Sequence, residues 1–359
     1  MHKFKKKIYS YLYILFLFLF FNFSEFSTNK SYSKNFVIYD VEVEEKYNLN
    51  FDKSKVIDKG FLKAFNVLIR KILEKKDQKK IINISIQDVK YLIENFSILN
   101  ETFINQNYQI VLEVQFNRNK IIKFLDQKKV FSSLPKEINT FILPVLIDSE
   151  NNELYSLNQN IFFKLWNDVD ESYFLVKYVL PNEDIEDHII IKKNINNLEN
   201  YNFNEIIKKY NLDSHIILIL IKNDNKLRIY SKINFENKNM LLNKSLSNID
   251  INNQILIKNL ILEIKNEYED KWKSINKLDT TIELPIRLSL NSKNIELSKK
   301  LEKTLLNLDF VSDFKIEKFN NNEIMYKIIF NNTPQKFLDY INMSEFKIDT
   351  SKAIWKLYE

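Results

Sequence analysis

The chain has 359 residues, 45% of them hydrophobic, with 53 Lys and Arg against 47 Asp and Glu and a formal net charge of +6. That apolar content is enough to build cores, so wholesale disorder is excluded, and the length suits two or three domains. There is no cysteine and only one glycine, which excludes thiol chemistry, disulfides, lipidated cysteines and the glycine-rich phosphate loops of nucleotide-binding folds.

The basic excess says little about partners. Lys3, Lys5, Lys6, Lys7, Lys30 and Glu25 fall in the first 33 residues, and without them 48 basic residues face 46 acidic ones. Elsewhere lysines alternate with acids instead of gathering on one face, so no nucleic-acid partner is expected. His2 lies in the leader, which leaves His188 and His215 for any metal or triad chemistry.

Met1–Lys7 is basic, and Ile8–Phe23 is free of charge. Those 16 residues fall short of the about 20 that span a bilayer, and they match the apolar core of a secretory signal. The best small-x-small site is Ser31-Tyr32-Ser33, so residues 1–33 are read as a signal peptide or, uncleaved, as an N-terminal anchor. The expected compartment is periplasmic, with residues 8–23 holding the protein to the inner membrane if the leader stays.

Residues 34–132 read as a βααββα domain: strand Phe36–Glu44, helices Lys53–Leu73 and Ile86–Glu94, strands Phe96–Asn105 and Tyr108–Phe116, and helix Arg118–Gln127. The first helix carries an apolar stripe with Gly60 and Ala64 inside it. A glycine there costs about 1 kcal/mol relative to alanine, so close approach of the helix to a sheet is expected.

Leu134-Pro135 marks a linker to a middle α/β domain, residues 136–276. Its strands are Phe141–Ile147 and Tyr173–Leu180, with a helix at Asn160–Asp168. The polar loop Pro181–His188 and a helix at Phe203–Tyr210 lead into His215–Ile221, HIILILI. A continuous aliphatic run bounded by turns is a strand covered on both faces. The turn Lys222–Lys226 folds it back into Leu227–Phe235, and helix Ile251–Trp272 closes the domain.

Residues 280–359 give the order βαββαβ of a ferredoxin-like domain. Strand Thr281–Leu290 precedes helix Ile295–Leu308, the hairpin Asp313–Phe319 and Glu323–Phe330, helix Gln335–Ile341 behind Thr333-Pro334, and strand Ala353–Leu357. Pro285 is a misfit in a central strand, and a bulge is expected there. The fold class is therefore α/β (α+β), several small sheet-and-helix domains in series.

In this order the chain resembles the domain of unknown function numbered two thousand and sixty-six, uncharacterised exported proteins of bacteria, in its alphaproteobacterial form. The features that carry the resemblance are the leader, the Gly60–Ala64 helix, Val114–Phe116, Phe141–Val145 (FILPV) and Leu180–Asp187 (LPNEDIED). Tyr210–Ile221, Glu269–Lys273 (EDKWK) and Trp355–Leu357 complete it. The family usually has glycines in its turns, including one where Glu183 stands here. The resemblance implies a fold and an envelope location and supplies no mechanism.

Asp184, Glu186, Asp187 and His188 form the one polar constellation, suited either to a divalent cation or to the start of a helix. The helix start is the expectation, because no glycine permits a tight cation loop. His215, Trp166 and Trp272 read as core or boundary residues, and no catalytic, cofactor-binding or metal-ligating residue is assigned. The expected function is a non-catalytic binding or scaffolding protein of the cell envelope, its partner another envelope protein or component. A carboxylate-dependent hydrolase of an envelope glycan, with Asp184 or Asp187 as acid or base, is the alternative.

Overall fold

A computed structural model describes residues 36–358, apart from Ile82, residues 279–282 and Asp309. The expected signal peptide or anchor, residues 1–33, lies outside the described residues, and so does the start of the strand expected at Thr281. The chain folds as a mixed α+β protein built on three small sheets.

The first sheet has the order β1-β3-β2, with β1 Phe36–Lys46, β2 Ile93–Ile104 and β3 Asn107–Phe116 all antiparallel. Its helices are α1 Lys53–Ile72, the unexpected short α2 Lys75–Gln78, α3 Ile86–Leu92 and α4 Arg118–Gln127. The alternation of β1 breaks at a bulge between Ile38 and Val41, where Asp40 takes a φ of 53°. Among the described residues eleven non-glycine positions have positive φ, and seven of these are Asn or Asp. These two residue types tolerate the left-handed region best after glycine, which is how a chain with one glycine still makes its turns.

That one glycine sits where the expected close approach occurs. A Cβ on Gly60 would lie 2.4 Å from Leu112 Cδ1 of β3 and 3.3 Å from Val43 Cγ2 of β1. Leu112 is fully buried, so it has little room to yield. Overpacking of about 1–3 kcal/mol outweighs the helix-propensity gain of about 1 kcal/mol. Gly60→Ala is expected to lower the melting temperature. Gly60→Ala combined with Leu112→Val should cost less than the two single changes added, because valine removes the clashing methyl.

The middle sheet has the order β5-β4-β7-β8-β9, and β6 also pairs with β4. Its strands are β4 Ile138–Asp148, β5 Glu153–Leu154, β6 Val176–Val179, β7 His215–Asn223, β8 Lys226–Phe235 and the unexpected β9 Lys238–Ser247. The helices are α5 Ile161–Leu165, α6 Ile185–Lys193, α7 Asn204–Lys208 and α8 Gln254–Ile275. The HIILILI strand is buried on both faces as read. Ile216, Leu218 and Leu220 pack with α5 and α8, while Ile217 and Ile219 pack under α6 and α7.

The third sheet has the order β11-β12-β10-β14-β13. It contains β10 Leu284–Asn291, α9 Ile295–Asn307, β11 Val311–Phe319, β12 Glu323–Phe330, α10 Pro334–Met343, β13 Lys347–Asp349 and β14 Trp355–Tyr358. The βαββα order is as read, but the single last strand is two. β14 lies beside β10 and runs parallel to it, whereas the ferredoxin-like arrangement has an antiparallel strand there. The antiparallel strand is β13, displaced to the edge by β14. Pro285 needs no bulge. Its register with β12 is unbroken, and β14 reaches only Leu288 and Ser289, so no strand borders the other side at Pro285.

The three sheets meet at one junction. Ser133 N and Oγ both donate to Ile72 O, and Lys273 Nζ of α8 donates to Arg70 O at 2.5 Å and Leu73 O at 3.2 Å. The linkers run together through Leu134 N to Asn276 O and Leu278 N to Ser132 O. Leu134 and Leu278 then enter the core of the C-terminal domain.

Candidate functional site

The middle sheet contains a gap. β4 pairs with β7 from Phe141 to Asp148. Along its other edge β6 covers only Ile138–Phe141 and β5 only Ile147–Asp148. Pro144 lies between. Ile138 N donates to Leu175 O, and Leu146 O accepts from Tyr155 N, so even-numbered residues of β4 face this edge. Pro144 thus turns its missing N–H to the side where no strand would accept it, which is how proline is tolerated inside a sheet. Asn160 takes the place of the absent strand. It is fully buried, its Nδ2 donates to Pro144 O at 3.0 Å, and its Oδ1 accepts from Phe162 N and Phe163 N to cap α5.

Beside the gap, under α6, opens a cavity of about 210 Å³. Leu143 and Val145 of β4 form its floor, Leu154 and Leu157 one wall, and Ile185 and Ile191 of α6 another. It sits at the carboxyl end of β6. The chain leaves β4 for α5 on one face of the sheet and leaves β6 for α6 on the other. In open α/β sheets ligands bind at this kind of switch point.

The acidic stretch forms the rim. Only its first half is loop, because α6 starts at Ile185 and Asp184 is its cap, accepting from Glu186 N at 2.8 Å and Asp187 N at 3.4 Å. The helix escaped a reading by periodicity because its isoleucines point all ways: Ile185 and Ile189 are exposed while Ile191 is buried. Lys209 Nζ lies 2.7 Å from both Asp184 Oδ2 and Asp187 Oδ1, and Asp187 is only 7% exposed. The Lys209 ammonium holds the Asp184 carboxyl below its ordinary range, helped by the backbone N–H of Glu186. The two acids share one cation on one wall. Both come from the cap and first turn of α6, so they do not stand on opposite walls of a cleft as the paired carboxyls of glycoside hydrolases do.

Three further contacts fix the loop. Glu183 accepts from Asn158 Nδ2, Asn182 N donates to Tyr210 Oη at 2.9 Å, and the Tyr210 ring stacks on Phe141 with centroids 4.1 Å apart. The site is preformed. His188 lines the cavity, whereas His215 stands at the start of β7, half-buried and outside the lining, its pKa lowered by burial. Trp166 and Trp272 are fully buried core residues. Among the described residues no three His, Asp or Glu side chains gather to hold a metal ion.

Asp148 closes the β4–β5 turn and so places Leu154 at the wall. Lys222 Nζ donates to it at 2.9 Å, as do the Glu150 and Asn151 backbone amides, and the Lys222 contact holds its pKa down to about 2. A depressed carboxylate stabilises the fold above its unfolded pKa of about 3.9, and that contribution is lost as pH falls through the folded value. The wild type should therefore lose stability between about pH 4 and pH 2. Asp148→Asn should be less stable at pH 7 and change less across that window, as read from urea midpoints.

No protein-family model matches the chain, and no curated protein matches it.

Proposed function

We propose that this is an exported, non-catalytic binding protein of the cell envelope, and that the cavity under α6 is its binding site. One observation carries the binding reading. The sheet gap at Pro144 leaves a preformed apolar cavity whose acids are tied together through Lys209, an arrangement for holding a ligand rather than for passing protons across a cleft. A basic segment followed by the uncharged Ile8–Phe23 supports export.

Binding is tested on the full-length chain by thermal shift against fractionated envelope components. A ligand at a hundredfold over its Kd adds about 2.7 kcal/mol to stability. Leu157→Trp, which plugs the half-exposed mouth, should abolish that shift, and Asp187→Asn should keep most of it. Turnover of an envelope glycan that disappears in Asp187→Asn would replace binding by carboxylate catalysis. Export is tested by fusing residues 1–40 to a reporter active only outside the cytoplasm. An intact fusion that stays silent would remove the envelope from the proposal.

A further inference from the structure

The lining of the cavity is one-sided in charge. Glu183, Asp184 and Asp187 belong to it, and among the described residues lining it there is no Lys or Arg, in a chain that carries 53 of them. Lys209 neutralises one charge, so the rim stays acidic, and Glu186 one residue along α6 adds to it. The volume is also telling. At about 210 Å³ the cavity is smaller than the about 300–1,000 Å³ that encloses a whole small molecule, and it suits an anchoring group of something larger.

The surface outside the mouth continues the apolar character. Ile185 at the mouth is 77% exposed, Ile189 one turn on along the same face of α6 is 45% exposed, and Val179 at the end of β6 is 38% exposed. A small desolvated pocket flanked by apolar surface and ringed by charge is the anatomy of a protein–protein hot spot. Resting on the binding function proposed above, we infer that the cavity takes an aliphatic side chain from a basic segment of a partner polypeptide. The side chain fills the pocket between Val145, Leu157 and Ile191. Neighbouring Lys or Arg residues of the segment meet Glu183 and Glu186, and its apolar flank lies on Ile185 and Ile189.

A fluorescent nine-residue peptide with one central leucine among lysines, titrated into the full-length chain, tests this. Binding should weaken about tenfold in Leu157→Trp and about tenfold in the double variant Glu183→Lys, Glu186→Lys, and alanine in place of the peptide's leucine should weaken it similarly. Should Leu157→Trp fold poorly, the alanine peptide on the wild-type protein decides the same point. Binding that ignores both the plug and the alanine but follows the charge reversal is general attraction and overturns the inference. Dodecylamine bound and displaced by the plug, with the peptide inert, assigns the cavity to a small amphiphile, which overturns the polypeptide partner and leaves the binding function standing. If neither probe binds and no envelope component shifts the melt, both fall together.

Discussion

Leu288→Asp is expected to unfold the C-terminal domain while leaving the other two sheets intact. Leu288 is fully buried, opposite Tyr326 of β12 on one side and Trp355 of β14 on the other, in a core with Leu290, Leu301 and Phe337. Losing the leucine costs about 2–5 kcal/mol, and leaving an unpaired carboxylate there adds several more. The sum matches or exceeds the about 5–15 kcal/mol that holds a whole domain folded. Arg287→Gln, one residue away, removes only the solvent-screened pair with Glu317, and such surface pairs contribute little to stability. Amide hydrogen exchange on the full-length chain separates the outcomes. Protection should vanish from residues 284–358 in Leu288→Asp and persist in Arg287→Gln. Equal loss in both would mean that this face of β10 is not the core face.

The same strand shows where sequence reasoning stops. Strict alternation from Leu284 to Leu290 puts Ser289 outward, yet it is only 7% exposed, next to the Trp355 carbonyl. Nothing in β10 itself says that the last four-residue strand will return beside it. That pairing spans more than sixty residues and is decided by packing, so the departure from ferredoxin-like order was not legible either. Elements with a strong period were legible: α1 with its glycine, β7 buried on both faces, and the Thr333-Pro334 start of α10. β9 was not, because it is an edge strand with no fully buried residue, and its signal is only the half-buried alternation of Met240, Leu242 and Leu246, broken by Lys244. The candidate site was half legible. Pro181–His188 stood out by polarity and reads as a helix start, while the capping role of Asp184 came only from the structure. The cavity did not, since it exists only because β5 and β6 both stop short of Pro144.

The junction of the three sheets should depend on Lys273 more than on any surface ion pair. Its side chain is 3% exposed and donates to Arg70 O and Leu73 O, which belong to the C-terminal end of α1 in another domain. Burial lowers its pKa, and Glu269 and Asp270 pull it back toward the charged form. Methionine has a similar length and no donor. Lys273→Met relieves the desolvation of a charge, but it takes this donor from Arg70 O and from the buried Leu73 O, which keeps only Gln78 Nε2, and it removes one of the cations beside Glu269, leaving Lys177. Unsatisfied buried groups cost about 1–3 kcal/mol each, and removing one member of a buried polar set generally outweighs the relief. A net loss of about 2 kcal/mol is expected. Lys258→Met, on the same helix, removes only the exposed pair with Asp168 and should change stability by less than about 1 kcal/mol. The pattern of unfolding is the sharper readout. With α1 no longer capped by α8, the N-terminal sheet should melt ahead of the middle one, splitting a single calorimetric transition into two. A Lys273→Met protein that still melts in one step at the wild-type temperature would show that the other contacts across the junction, the paired linkers at Ser132–Leu134 and Asn276–Leu278 and the Lys75 N to Asp270 bond, hold the domains together without it.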